Sequence, residues 1–113
     1  MSSPPRFDPV IHAPARLQIA ALLVAVSDAE FATVREAVGV SDSVLSKHLK
    51  QMEEAGYIRL RKASLDGRVR TRLSMTRDGR RAFAAHVQAL QALASLAGLT
   101  PQDVEGDPVL EPV

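Results

Sequence analysis

Two stretches of helical periodicity lie only a few residues apart in the middle of the chain, and this spacing restricts the fold more than any other feature. Phe31, Val34 and Val38 recur on one face of a short segment that Gly39 closes as a C-terminal cap. Ser41 then starts a second segment as N-cap, with Asp42 favourable in its first turn, and this segment runs to about Ala55 before Gly56 ends it. Two helices joined by so tight a glycine-containing turn form a helix-turn-helix unit. Directly after it, Ile58 and Leu60 alternate with Arg59 and Arg61, and Val69, Thr71, Leu73 and Met75 alternate with Arg70, Arg72 and Ser74. Period two on both sides of Asp66-Gly67, a strong two-residue turn signal, predicts an antiparallel β-hairpin.

The flanking segments complete the domain. Pro14 suits the first turn of a helix over roughly 14–27, and Leu17, Ile19, Ala20, Leu22, Leu23 and Val24 make that helix apolar almost all round. Thr76 caps a long helix over roughly 77–97 that ends at Gly98. On it Phe83, Val87, Leu90, Ala94 and Ala97 are spaced four and three apart, with Leu93 and Leu96 widening the stripe. The expected fold is mainly α with a small antiparallel β-hairpin, a winged helix-turn-helix flanked by N- and C-terminal dimerisation helices. Residues 1–9, with three prolines, are expected to be a flexible arm, residues 10–98 the domain, and residues 99–113 a disordered acidic tail.

Charge is unevenly distributed. The chain is +1 overall, yet residues 57–81 carry nine Lys/Arg against two acids, while residues 100–113 carry four acids and no base. A basic hairpin inside a nearly neutral chain is the footprint of a polyanion partner. On the third predicted helix, Leu45, Leu49 and Met52 share the inward face at 100° per residue, with His48 at its edge. Ser43, Val44, Ser46, Lys47 and Lys50 then face outward. Small and basic residues near a helix N-terminus are what a DNA major groove accepts. Arg68 and Arg70, at or just after the hairpin tip, are placed to enter a minor groove or clamp phosphates, while Arg59, Arg61 and Arg72, nearer the strand bodies, add field or contact the DNA backbone. The expected partner is double-stranded DNA. A winged-helix module that binds protein instead is the alternative, and the basic wing argues against it.

Other chemistry is poorly supported. There is no cysteine, which removes disulfides, thiolate zinc sites and a thiol nucleophile together. No Gly-rich phosphate loop, nucleophile–base pair or metal motif is visible, so neither an enzyme nor a cofactor is expected. His12, His48 and His86 lie far apart in the sequence and are expected to be structural, not metal ligands. No apolar run is long enough for a membrane span and Met1–Arg6 lacks a signal-peptide core, so a cytoplasmic protein with no membrane partner is expected.

Residues 10–83 resemble the MarR/ArsR-like winged-helix regulators, especially a small single-domain subgroup. The resemblance rests on Val10–Leu17, Phe31–Val40, Leu45–Tyr57, Asp66–Thr71 and Met75–Arg80, in order and correctly spaced. It implies a homodimeric transcriptional regulator, with repression as the expected outcome, whose third helix and wing bind a pseudo-palindromic operator, with room for an effector. Leu17, Phe83, Val87, Leu90 and Leu93 are the expected dimer contacts, because the apolar surface of the first and last helices exceeds what one small domain covers.

Overall fold

In the computed structural model of the protein, residues 7–99 are described. Five helices and three strands follow one another as α1 (Pro9–His12), α2 (Pro14–Val24), β1 (Ala29–Glu30), α3 (Phe31–Val38), α4 (Asp42–Glu54), β2 (Ile58–Leu65), β3 (Arg68–Met75) and α5 (Arg77–Leu96). The winged helix-turn-helix architecture is the one the sequence predicts. No helix among the described residues is long and apolar enough to cross a membrane.

The all-round apolar helix is the hub. α2 packs against the other four helices and against β3, and its Ile19, Ala20 and Leu23 are fully buried. They meet Val34 of α3, the Leu45–Leu49–Met52 face of α4, and Ile58 and Leu73 at the base of the hairpin. Removing one of these large side chains, as in Leu49→Ala, costs about 2–5 kcal/mol in transfer and cavity terms. The N-terminus of α4 is satisfied as expected: Ser41 Oγ accepts from the Val44 amide at 3.2 Å. Arg35 of α3 donates to Asp42 at 2.8 Å, tying the two helices of the unit together at the turn.

Three features depart from the sequence expectation. First, the sheet has three strands, in the order β1-β3-β2. Ala29 pairs with Leu73 and Glu30 with Arg72. A two-residue strand carries no readable alternation, and it exists only because the α2–α3 connection runs along the open edge of β3. Second, the folded domain begins before Val10. Asp8 accepts the amides of Val10 and Ile11 on Oδ1 at 2.9 and 3.2 Å and so caps α1, whose Ile11 is fully buried. Residues 100–113 of the expected tail and residues 1–6 of the expected arm lie outside the described residues.

The hairpin is also longer than the alternation suggested, with β2 reaching Leu65 opposite Arg68. Asp66 (φ 53°) and Gly67 (φ 76°) form its two-residue turn; both central residues in the left-handed region match the twist of the flanking strands. Because the wing projects past the core, alternation stops reporting burial towards its tip. Val69 shares a face with buried Leu73 and Met75 yet is 71% exposed.

Candidate nucleic-acid interface

The outward surface of α4 is assembled by default. Once Leu45, Leu49 and Met52 are buried, helical geometry turns Ser43, Val44, Ser46, Lys47 and Lys50 to solvent, and all five are exposed. The first turn is low in bulk, with Ser41 and Ser43 hydroxyls 3.3 Å apart. A small, polar, partly basic helix face anchored through its opposite side can enter a groove without distorting its own core.

The wing places its arginines unequally. Arg68, beside the turn, is exposed and has no ion-pair partner among the described residues. Arg70 is bound to Glu30 at 3.1 Å, though its side chain remains 41% exposed. Arg72 differs most from the sequence expectation. It forms a hydrogen-bonded ion pair with Asp28 and a second pair with Glu30 at 3.5 Å. The Arg72 hydrogen bond and charge hold the Asp28 carboxyl below the usual carboxylate range, against the opposing effect of burial. A guanidinium facing two carboxylates fastens the wing to β1, and Arg72, its side chain 31% exposed, is less available to a phosphate than Arg68. Arg59 and Arg61, which alternation relegated to the strand body, stand exposed on the sheet face shared with Arg72, Asp28 and Ser74.

The expected dimer contacts also divide. Leu17 and Phe83 are half-buried against the chain's own core, so much of their apolar surface is already covered. Val87 and Leu90 are half-buried and Leu93 is exposed. Beyond them, Leu96 is 86% exposed and Leu99 is also exposed. Phe7, Ala89, Ala92, Leu93 and Leu96 line one apolar groove along α5. The unpartnered surface is thus the C-terminal half of α5 together with Phe7, whose contribution no periodicity could reveal.

The histidines are not scattered. His12 Nδ1 and His86 Nε2 are 3.1 Å apart across 74 residues, and Phe7 stacks on His12 at a ring-centroid distance of 5.0 Å. His86 is buried. His48 accepts from Arg16 at 3.1 Å. Among the described residues no group of three or more His, Cys, Asp or Glu side chains is placed to hold a metal ion.

The comparisons with known proteins agree with this geometry. A family model described as winged helix DNA-binding domain matches residues 15–94. An uncharacterized protein of Methanocaldococcus jannaschii is 32% identical over 85 residues, a match that covers 75% of this chain and 92% of the relative. A transcriptional regulator homologue from Pyrococcus horikoshii superimposes with a TM-score of 0.75 at 23% identity, over 80% of this chain and 89% of that one. A MarR family transcriptional regulator from Silicibacter pomeroyi gives a TM-score of 0.60 at 23% identity, over 85% and 65% of the two chains. At these identities the two solved structures speak for the fold.

Proposed function

The chain belongs to the winged helix DNA-binding domain family, and from that premise we propose that it is a MarR-like transcriptional regulator that binds double-stranded DNA in a sequence-specific way as a homodimer. In this reading α4 enters the major groove, with Ser43, Val44, Ser46 and Lys47 towards base edges and Lys50 towards phosphate. Arg68 and Arg70 at the wing follow the neighbouring backbone or minor groove. Repression by occupying the operator is the simplest outcome, and no catalytic step or cofactor is part of the proposal. One observation carries it: the exposed small-and-basic face of α4 and the exposed Arg68 at the wing belong to one domain whose core is packed behind them.

An exposed apolar surface on α5 supports the homodimer of this reading. The exposed Leu93–Leu96–Leu99 run on and beyond α5, with Phe7 beside it, is a continuous apolar surface of the kind that two-fold association buries. A small-molecule effector fits the reading as well, because an open cleft of about 360 Å³ lined by Phe7, Asp8, Tyr57 and His86 adjoins this surface.

The test is selection of bound duplexes from a random pool. Two copies of α4 in successive major grooves require an inverted repeat with half-sites about 10–10.5 base pairs apart, centre to centre. Such a repeat is the expected product. A pool that stays random under selection would overturn specific DNA binding in favour of a protein-binding winged-helix module.

A further inference from the structure

Besides the buried Ile11 and the Tyr57–Asp8 bond, helix α1 is attached to the rest of the domain by bonds that depend on uncharged imidazoles. The backbone N–H of Asp8 donates to His86 Nδ1 at 3.1 Å. That nitrogen is therefore an acceptor, so in the neutral ring the proton sits on Nε2. Nε2 faces His12 Nδ1 at 3.1 Å, which must then accept as well. The chain of bonds runs Asp8 N–H to His86 to His12 and leaves neither ring a free position on this line. A second proton on His86 lands on Nδ1, against the Asp8 N–H; a second proton on His12 lands on Nδ1, against the His86 N–H. The same tautomers argue against a metal between these nitrogens, because His86 Nε2 already carries hydrogen.

A third imidazole is held in the same way. Arg16 of α2 donates through Nε to the Val10 carbonyl at 2.5 Å and through Nη2 to the Pro9 carbonyl at 3.4 Å, gripping α1. Its Nη1 lies 3.1 Å from His48 Nδ1 on α4. An arginine can only donate, so His48 accepts and must be neutral. Lys47, proposed above as a base contact, is the preceding residue on α4.

We propose that α1 is a proton-operated latch: while His12, His48 and His86 are neutral it is clamped to α5 and, through Arg16, to α4, and protonation of these rings releases it.

The surroundings favour the neutral forms of His86 and His48. Burial pushes His86 below the ordinary histidine value, and the nearby His12 adds to this; the Asp8 carboxylate works in the other direction. Burial and the Arg16 charge both push His48 down. Two other groups at the joint, Asp8 and Tyr57, are moved away from the histidine range. Asp8 opposes its own burial by accepting from Tyr57 and from the Val10 and Ile11 amides, and it ionises below the usual carboxylate value. Tyr57, near Asp8 and Asp78, is pushed up to about 12. A histidine whose folded value is depressed stabilises the fold above its unfolded value of about 6.5, and that contribution is lost as pH falls through the folded value. The latch therefore opens on acidification.

Amide hydrogen exchange in the full-length chain, followed by NMR from about pH 7.5 to about pH 5 across the histidine range, tests the latch without DNA. Once corrected for intrinsic rates, the Ile11 and His12 amides are expected to exchange at least about tenfold faster as the His86 ring protonates. The α5 amides should keep their protection, which separates release of α1 from acid unfolding. A double variant, His12→Gln with His86→Gln, should remove the part of the pH dependence at α1 that comes from the α5 side, leaving only what His48 contributes through Arg16. Unchanged Ile11 and His12 protection through the His86 titration, or joint loss with α5, would overturn the latch. Its consequence for DNA rests on α4 being the recognition helix, and affinity for a random-sequence duplex at fixed salt reads it separately. Added positive charge alone tightens binding at lower pH, whereas release of Arg16 from His48 weakens it. If α1 opens while affinity rises, the link from α1 to α4 is wrong and the latch on α5 stands.

Discussion

Gly79, in the first turn of α5, lies so close to Tyr57 that a Cβ added to it would sit 2.1 Å from the Tyr57 carbonyl oxygen. The approach is fixed from both sides. That carbonyl accepts the Thr76 amide at 2.9 Å, Thr76 Oγ1 donates to the Gly56 carbonyl at 2.6 Å, and Gly79 itself donates to Thr76 Oγ1 at 2.9 Å. The cap of the last helix and the root of the wing are thereby one joint.

Gly79→Ala consequently runs against helix propensity. In an open helix, alanine is favoured over glycine by about 0.5–1 kcal/mol. Here the backbone of α5 must move away from Tyr57, and the expected result is a loss of about 1–3 kcal/mol. Urea denaturation of the variant decides the sign, and a gain in stability would mean the joint is loose.

Tyr57 provides a spectroscopic check on the bond to Asp8. It is the chain's one tyrosine, and its hydroxyl donates to Asp8 Oδ2 at 2.5 Å. Accepting carboxylate and burial together push its pKa up to about 12 from 10.0. A raised folded value means the contribution to stability is complete below 10.0 and is lost as pH rises towards about 12. The near-ultraviolet phenolate band should therefore rise well above pH 10 in folded protein and near pH 10 in urea. Ionisation at the same pH in both would remove the Asp8 bond from the fold.

Arg68 and Arg72 should behave differently although both lie on the wing. Arg68→Ala is expected to weaken binding to specific and random duplexes alike and to reduce the salt slope by roughly 0.9 for each phosphate that Arg68 neutralises. Arg72→Ala should leave the slope nearly unchanged while loosening the wing from Asp28 and Glu30, visible as a lower unfolding temperature. Equal slopes for wild type and Arg68→Ala would place the wing tip away from the backbone.

For association, Leu93→Glu combined with Leu96→Glu is expected to give a folded monomer, because both side chains are exposed in the single chain. Sedimentation of wild type and variant at micromolar concentration reads the outcome directly. A wild type that sediments as a monomer contradicts the dimer.

Lys47→Ala distinguishes base recognition from backbone binding. If Lys47 reads a base, the variant loses about 1–3 kcal/mol on the selected operator and much less on random DNA; if it touches only phosphate, both fall alike. Wild-type affinity on the operator would take α4 out of the recognition role. Lys47 is exposed, so circular dichroism should show an unperturbed fold.

Local periodicity and punctuation were enough to read the helix-turn-helix, its capping residues Ser41 and Thr76, the hairpin turn at Asp66-Gly67 and the buried faces of α3 and α4. Each depends on residues a few positions apart, where backbone geometry converts spacing directly into a shared face. The outward set on α4 follows from the same geometry, since whatever is opposite Leu45, Leu49 and Met52 must face solvent. What the tertiary structure alone decided involves partners distant in sequence. The ion pairs that occupy Arg72, the strand Ala29–Glu30 on the edge of β3, the seat of Gly79 on Tyr57, and the joining of Asp8, His12 and His86 all link residues at least 22 positions apart. Composition assigned Asp8 to a loose arm and the histidines to isolation. Their juxtaposition exists only after α2 and α5 have packed, because burial in a shared core brings them together, not any property of their immediate neighbours.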